Sequence, residues 1–234
     1  IALVSPNNPA GVEYPDALIA AFFALAQSHK IALILDETYR DFDSRQKPPH
    51  RLFQHPDWPD TLIQLYSFSK AYRLTGHRVG ALVASQSRLA EIEKFLDSVT
   101  ICAPQLGQHA ALWGLRNLQS WLATERLEIL DRRAAILNGF AALQIDGWQL
   151  LGLGAYFAYF QHPFALPSDQ LAQRMVSDIG VLALPGTMFT PLNDPSGDDK
   201  MRVAFANIER TEIENLFVRL QRLRLPLAQT VSDA

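Results

Sequence analysis

The stretch Thr61-Leu62-Ile63-Gln64-Leu65-Tyr66-Ser67-Phe68-Ser69-Lys70 decides the fold. The run ending at Tyr66 reads as a strand, and it is followed at once by two serines and a lysine, with Arg78 eight residues beyond Lys70. Open α/β sheets place their ligand crevices beyond the carboxyl ends of strands, so this lysine falls where such folds do their chemistry. Ser67, Ser69 and Arg78 supply hydroxyl donors and a fixed cation suited to a phosphate, and the Lys70 amine can attack a carbonyl.

Working outward, the runs Ile1 to Val4, Ile31 to Leu35 and Val79 to Ala84 also read as buried strands. Between the first two lies Pro15 to His29, whose apolar Leu18, Ile19, Phe22, Phe23 and Ala26 recur at helical spacing. Pro15 suits the first helical turn. Strand, helix, strand of this length predicts a right-handed parallel crossover. The connection Arg40 to Asp60 has no periodicity and reads as a surface loop with at most a short helix.

Beyond Ala84 the pattern is helical, with Ser87 expected to cap Arg88 to Val99 and Pro104 to open a helix reaching Asn117. Leu118 to Leu143 reads as one long helix with a wet face, able to bridge two domains. From Trp148 short strands are predicted at Gly154 to His162, Val181 to Leu184 and Met201 to Ala206, with helices at Ser168 to Asp178 and Thr211 to Arg224. Pro226 to Ala234 reads as a loosely held tail. The expected architecture is α/β with a mostly parallel sheet over residues 1–117, a connecting helix over 118–143 and a smaller α+β carboxy-terminal domain over 144–234.

Composition narrows the function classes. With 234 residues and 48% hydrophobic content the chain can bury substantial cores. A net charge of −3 with both signs interspersed gives no basic face for nucleic acid, and no apolar run approaches a membrane span of about 20 residues. The single cysteine, Cys102, excludes an internal disulfide framework and fits a reducing cytoplasm. The six histidines lack metal-ligand spacing, so no metal is expected. No glycine-rich nucleotide loop is present. Ile1 is not a Met and already reads as part of a strand, which suggests a fragment.

Four further motifs carry candidate chemistry, each beside a plainer reading. Asn8-Pro9-Ala10-Gly11 follows the first strand and would serve equally as a simple turn. Asp36-Glu37-Thr38-Tyr39 follows Ile31 to Leu35; an Asp there can cap a helix, or pair with a protonated pyridine nitrogen while Tyr39 reaches the same ring's phenolic oxygen. Arg202 stands inside the apolar run Met201 to Ala206, where it needs a structural ion pair or an anionic ligand such as an α-carboxylate. Gly154-Ala155-Tyr156-Phe157 either lets backbone approach a ligand or packs in the core.

Taken in order, Asn8-Pro9-x-Gly11, Asp36-x-x-Tyr39, Ser67-x-Ser69-Lys70, Arg78 and the late Arg202 resemble the class I/II aminotransferases, fold-type I enzymes dependent on pyridoxal 5'-phosphate. The resemblance spans nearly the whole chain. It implies that Lys70 carries the cofactor covalently, that Asp36 pairs with the pyridine nitrogen, and that Asn8 and Tyr39 hold the phenolic oxygen. It also implies that Ser67 and Arg78 bind the phosphate with Ser69 as an extra donor, and that Arg202 binds the substrate carboxylate. Residues 1–117 then belong to a partial cofactor-binding large domain acting on amino acid and 2-oxo acid substrates, with a homodimer as the full-length assembly. Members of the family have a preceding segment that supplies the first strands, a phosphate-binding turn and an aromatic stacked on the cofactor, so the fragment alone is expected to bind cofactor weakly or not at all. The same residues also suit a carbon–sulfur β-lyase, or the aminotransferase-like effector domain of a transcriptional regulator with a DNA-binding segment upstream of Ile1.

Overall fold

The computed structural model describes residues 1–143 and 147–228. The domain boundary expected at residue 144 and the tail beyond Ala228 lie outside the described residues. Two compact units are formed, one by Ile1–Asn7 with Glu13–Leu127, the other by Asn8–Val12 with Glu128 onward.

In the first unit, strand β1 (Ala2–Val4), helix α1 (Asp16–Ser28) and strand β2 (Leu33–Asp36) form the expected crossover, with β1 and β2 parallel. Helix α1 buries Ile19, Phe23 and Ala26 against Leu33, Leu35, Leu52 and Leu62. Burial of Ile19 and Phe23 contributes about 1.5–3 kcal/mol each. Leu18 is exposed, and Phe22 packs at the rim of this core.

The loop to the next strand departs from expectation. It winds through single helical turns at Arg40–Phe42 and Leu52–Gln54 and the one-turn helix α2 (Trp58–Thr61), and it buries Phe42, Asp43, His50 and Leu52. Its polar residues turn inward because they are paired. The Asp43 carboxylate accepts from Arg45, which raises the Arg45 pKa, and Arg126 caps the carbonyls of Asp43, Ser44 and Arg45.

Strand β3 (Leu62–Ser67) lies parallel to β2, and the one-turn helix α3 (Phe68–Ala71) follows directly. Strand β4 (Gly80–Val83) pairs antiparallel with β3, giving the order β1-β2-β3-β4. A parallel return requires a crossover of a dozen or more residues, usually with a full helix, and the segment from β3 to β4 holds only short turns. As an edge strand β4 is largely exposed, with only the flanking Val79 and Ala84 buried, which corrects the expectation of a fourth buried strand.

Helix α4 (Gln86–Val99) starts two residues earlier than expected, because the Ser85 hydroxyl, rather than Ser87, accepts from the Arg88 amide. Helix α5 (Gln105–Asn117) begins after Pro104 as predicted. The 24-residue helix α6 (Gln119–Ala142) passes from one unit to the other at Leu127. It buries Ile129, Ala135 and Ile136, while Leu127 and Leu137 are exposed.

The second unit holds an antiparallel sheet of order β5-β6-β8-β7, from β5 (Gln149–Gly154), β6 (Phe157–Gln161), β7 (Leu184–Pro185) and β8 (Lys200–Ala204). The run predicted as one strand from Gly154 divides at an Ala155-Tyr156 turn, with Ala155 at φ 47°. Helices α7 (Ser168–Ile179) and α8 (Arg210–Leu220) bury Leu171, Met175, Ile213, Leu216, Phe217 and Leu220. Helix α8 ends before Arg224 but opens with a capping box between Glu209 and Glu212. The start of the tail is held: Leu227 bridges Phe164, and the Ala228 amide donates to the Pro163 carbonyl at 2.8 Å.

Candidate active site

Asp36 ends β2 and Ser67 ends β3, on neighbouring parallel strands whose register pairs Asp36 with Leu65. By the two-residue period of a strand, Asp36 points away from the α1 core, and Leu65 and Ser67 point to that same side. The turn leaving β2 carries Tyr39, and helix α3, leaving β3, carries Lys70. Both Thr38 donors, the amide at 2.9 Å and the hydroxyl at 2.7 Å, go to Asp36 Oδ1. Among the described residues nothing donates to Asp36 Oδ2. Tyr39 is buried.

The Ser67 hydroxyl accepts from the Ser69 amide at 3.2 Å and so starts helix α3, which carries Lys70 in its third position. Ser69 is buried and its carbonyl accepts from the Thr75 hydroxyl at 3.2 Å. Lys70 is half-buried. Just before this turn, the Tyr66 phenol donates to Asp41 at 2.6 Å. Burial first, and the Asp41 carboxylate second, hold the Tyr66 pKa far above the ordinary phenol value, so the proton stays on this hydroxyl. Arg78 is exposed, its backbone is left-handed at φ 50°, and its Nη1 donates to the Thr75 carbonyl at 2.9 Å.

Asn8 and Arg202 meet in the second unit. Arg202 Nη1 donates to the Asn8 amide oxygen at 2.7 Å across 194 positions of sequence. Arg202 stands on a strand paired on both sides, with Tyr159 and Leu184 as its partners. Its guanidinium lies over the rings of Phe157 and Phe189, 4.7 Å from each. Two such contacts on a partly desolvated cation contribute on the order of 0.5–2 kcal/mol each and hold the planar fork in one orientation.

The Asn8-Pro9-Ala10-Gly11 motif is therefore more than a surface turn. Gly11 has φ 69° and no room for a side chain: a Cβ there would stand 2.4 Å from the Phe157 carbonyl oxygen and 2.7 Å from the Gly154 amide nitrogen. At Gly154-Ala155, where the sequence leaves ligand approach or core packing open, the close neighbour is the chain's own segment 8–12, which brings Asn8 to Arg202. Thr38, beside Asp36 in the first unit, and Phe189, beside Arg202 in the second, were not singled out from sequence. The Asp-x-Thr spacing of a local turn pointed to Thr38, whereas Phe189 gave no signal, since its partner lies 13 positions away on another element.

Among the described residues no helix is long and apolar enough to cross a membrane. Residues 1–220 match the sequence model of the family described as aminotransferase class I and II. The chain is 25% identical to the putative aminotransferase YugH of Bacillus subtilis, over 98% of this chain and 57% of that protein. It is 29% identical to the arginine–pyruvate transaminase AruH of Pseudomonas aeruginosa, over 82% of this chain and 48% of that protein. Among solved structures it is similar to YbdL of Escherichia coli, for which a methionine aminotransferase function is described, with a TM-score of 0.83 and 25% identity over 95% of this chain and 57% of the other. The chain spans about half the length of the curated relatives it matches. With a match that runs from the first strand through the last helix, the chain belongs to the class I and II aminotransferase family.

Proposed function

We propose that this chain serves a pyridoxal 5'-phosphate-dependent aminotransferase that moves an amino group between an amino acid and a 2-oxo acid. The observation that carries the reading is the placement of Asp36 at the carboxyl end of one strand and of Lys70 just past that of its parallel neighbour. The donor set fits the cofactor. Asp36 keeps one carboxylate oxygen for a protonated pyridine nitrogen, Ser67, Ser69 and Arg78 match a phosphate, and Tyr39 and Asn8 match a phenolate oxygen.

Bound pyridoxal phosphate supplies an electron sink for the pair left on the substrate's α-carbon when its proton departs. Lys70 Nζ would hold the cofactor, and its free amine would be the base that takes the α-proton and the acid that gives it up again. The Asp36 carboxylate would pair with the ring nitrogen and favour its protonated form. Arg202 takes the α-carboxylate in a bidentate pair and so orients the bond to be broken. Asn8 and the Phe157 and Phe189 rings hold that arginine in place.

The test is product analysis with pyridoxal phosphate added. A 2-oxo acid formed only when an amino acceptor is present supports transamination; release of pyruvate and ammonia without an acceptor points to β-elimination. The domain reading of 1–117, 118–143 and 144–234, a homodimeric assembly and a cytoplasmic setting belong to the same proposal. They are supported by family membership and by the single cysteine, Cys102.

A further inference from the structure

The two faces of the first sheet have different contents. Leu33, Leu35 and Glu37 share one face by strand period, as do Leu62 and Gln64 on the neighbouring strand. The three leucines are fully buried beneath α1. Glu37 continues that stripe, since its amide donates to the Leu65 carbonyl at 2.9 Å, and its side chain is as buried as theirs at 1% exposure. A carboxylate there is tolerated only where donors surround it.

Three donor groups do so, all at one oxygen. The Gln64 side-chain amide donates to Glu37 Oε2 from β3, Arg40 Nη1 donates to it at 3.2 Å from the turn, and His50 Nε2 stands 3.3 Å away from within the long loop. His50 is buried too, and its Nδ1 accepts from the Leu52 amide at 3.2 Å, which puts the ring proton on Nε2, toward the carboxylate. That N–H faces Glu37 without hydrogen-bond alignment. One carboxylate thereby ties β3, the turn and the loop together from beneath the sheet. Its immediate neighbour Asp36 points to the opposite face, and Tyr39 lies two residues on.

We propose that Glu37 is a positioning residue for cofactor binding. Its buried ties fix the backbone of residues 36–40, and so fix the directions in which the Asp36 carboxylate and the Tyr39 phenol are presented. The inference rests on the cofactor reading above, and its test separates the two. Hydrogen exchange at the Thr38, Tyr39 and Arg40 amides of the cofactor-free chain reports the turn without any cofactor. Pyridoxal phosphate affinity and the visible circular dichroism of the bound cofactor report presentation.

For Glu37→Ala we expect exchange at these three amides to quicken relative to those of β3. We also expect affinity to fall about tenfold or more, and the circular dichroism at saturation to change. Glu37→Gln, which keeps an acceptor for Gln64, should restore most of each. Should Glu37→Ala fail to fold, Gln64→Leu and His50→Gln remove one tie at a time and should give smaller shifts in the same readouts. Unchanged exchange at residues 38–40 with wild-type affinity and dichroism, beside a mere drop in melting temperature, would overturn the proposal. A wild-type chain that takes the cofactor on a lysine other than Lys70 would defeat the functional reading instead, and the exchange measurement would still decide what Glu37 does to the turn.

Discussion

Two arginines that the sequence offers to anions are held in opposite ways. Arg202 stands on a paired strand, its guanidinium between two aromatic rings and its Nη1 on Asn8. Arg78 is exposed on a left-handed turn, with one hydrogen bond to a carbonyl three residues back. The ordering of Arg202 is completed when the second unit folds, so the proposed carboxylate would meet a fork already in place. A phosphate bound by Arg78 must itself order a long side chain, at about 0.5–1.5 kcal/mol for such a group. Similar chemistry is thus offered in two states of preorganisation, and the losses on mutation should differ accordingly.

The largest effect in this comparison should come from Arg202→Ala. Loss of hydrogen bonds to a charged group costs about 1.5–3 kcal/mol, so KM for the amino acid should rise about 10- to 100-fold in steady-state kinetics. Arg202→Lys should recover little of this, because an ammonium cannot reproduce the planar fork. Phe189→Leu removes one wall of the stack and should raise KM about 3- to 10-fold with a smaller change in kcat. An effect as large as that of Arg202→Ala would mean that the ring acts on substrate directly.

Arg78→Ala should weaken pyridoxal phosphate affinity less than about tenfold, and the deficit should shrink in high salt as expected of an exposed charge. If Arg78→Ala proves costlier for cofactor than Arg202→Ala is for substrate, the contrast fails. The smallest effect concerns pH. His162 is buried in the second unit, with Nδ1 accepting from the Phe164 amide at 3.3 Å and Nε2 on the Asp198 carbonyl at 3.2 Å. Burial, outweighing the help of that carbonyl, lowers its pKa. The folded state therefore holds fewer protons than the unfolded one between the depressed pKa and about 6.5. Stability is full above that window and declines as pH falls through it. Thermal melts at pH 7.5 and 5 should differ by a few degrees from this source, and His162→Gln should flatten that part of the difference.

What the sequence revealed, and what it hid, follows from where each signal is stored. The apolar runs around Leu3, Leu35 and Leu65 announce strands by themselves, and the polar residues just after them mark the strand ends that carry Asp36, Ser67 and Lys70. Strand β4 looked equally buried because apolar content does not distinguish an edge from a centre. Strand β5 was missed because Gly152 and a register shift between Leu150 and Gly152 break its alternation. The tie between Asn8 and Arg202 spans nearly the whole chain, so only the fold reveals it. Glu37 is the sharpest case. In Asp36-Glu37-Thr38-Tyr39 the two carboxylates look alike, and only the ladder to Leu65 separates the one facing the candidate site from the one buried behind it.

The central claim is that Lys70 Nζ bonds covalently to pyridoxal phosphate. The direct measurement is borohydride reduction of the cofactor-loaded chain, followed by digestion and mass spectrometry. The account predicts a pyridoxyl group on the peptide bearing Lys70 and its loss in Lys70→Ala, together with the visible absorbance band. A label on Lys30, Lys47, Lys94 or Lys200 instead would contradict it.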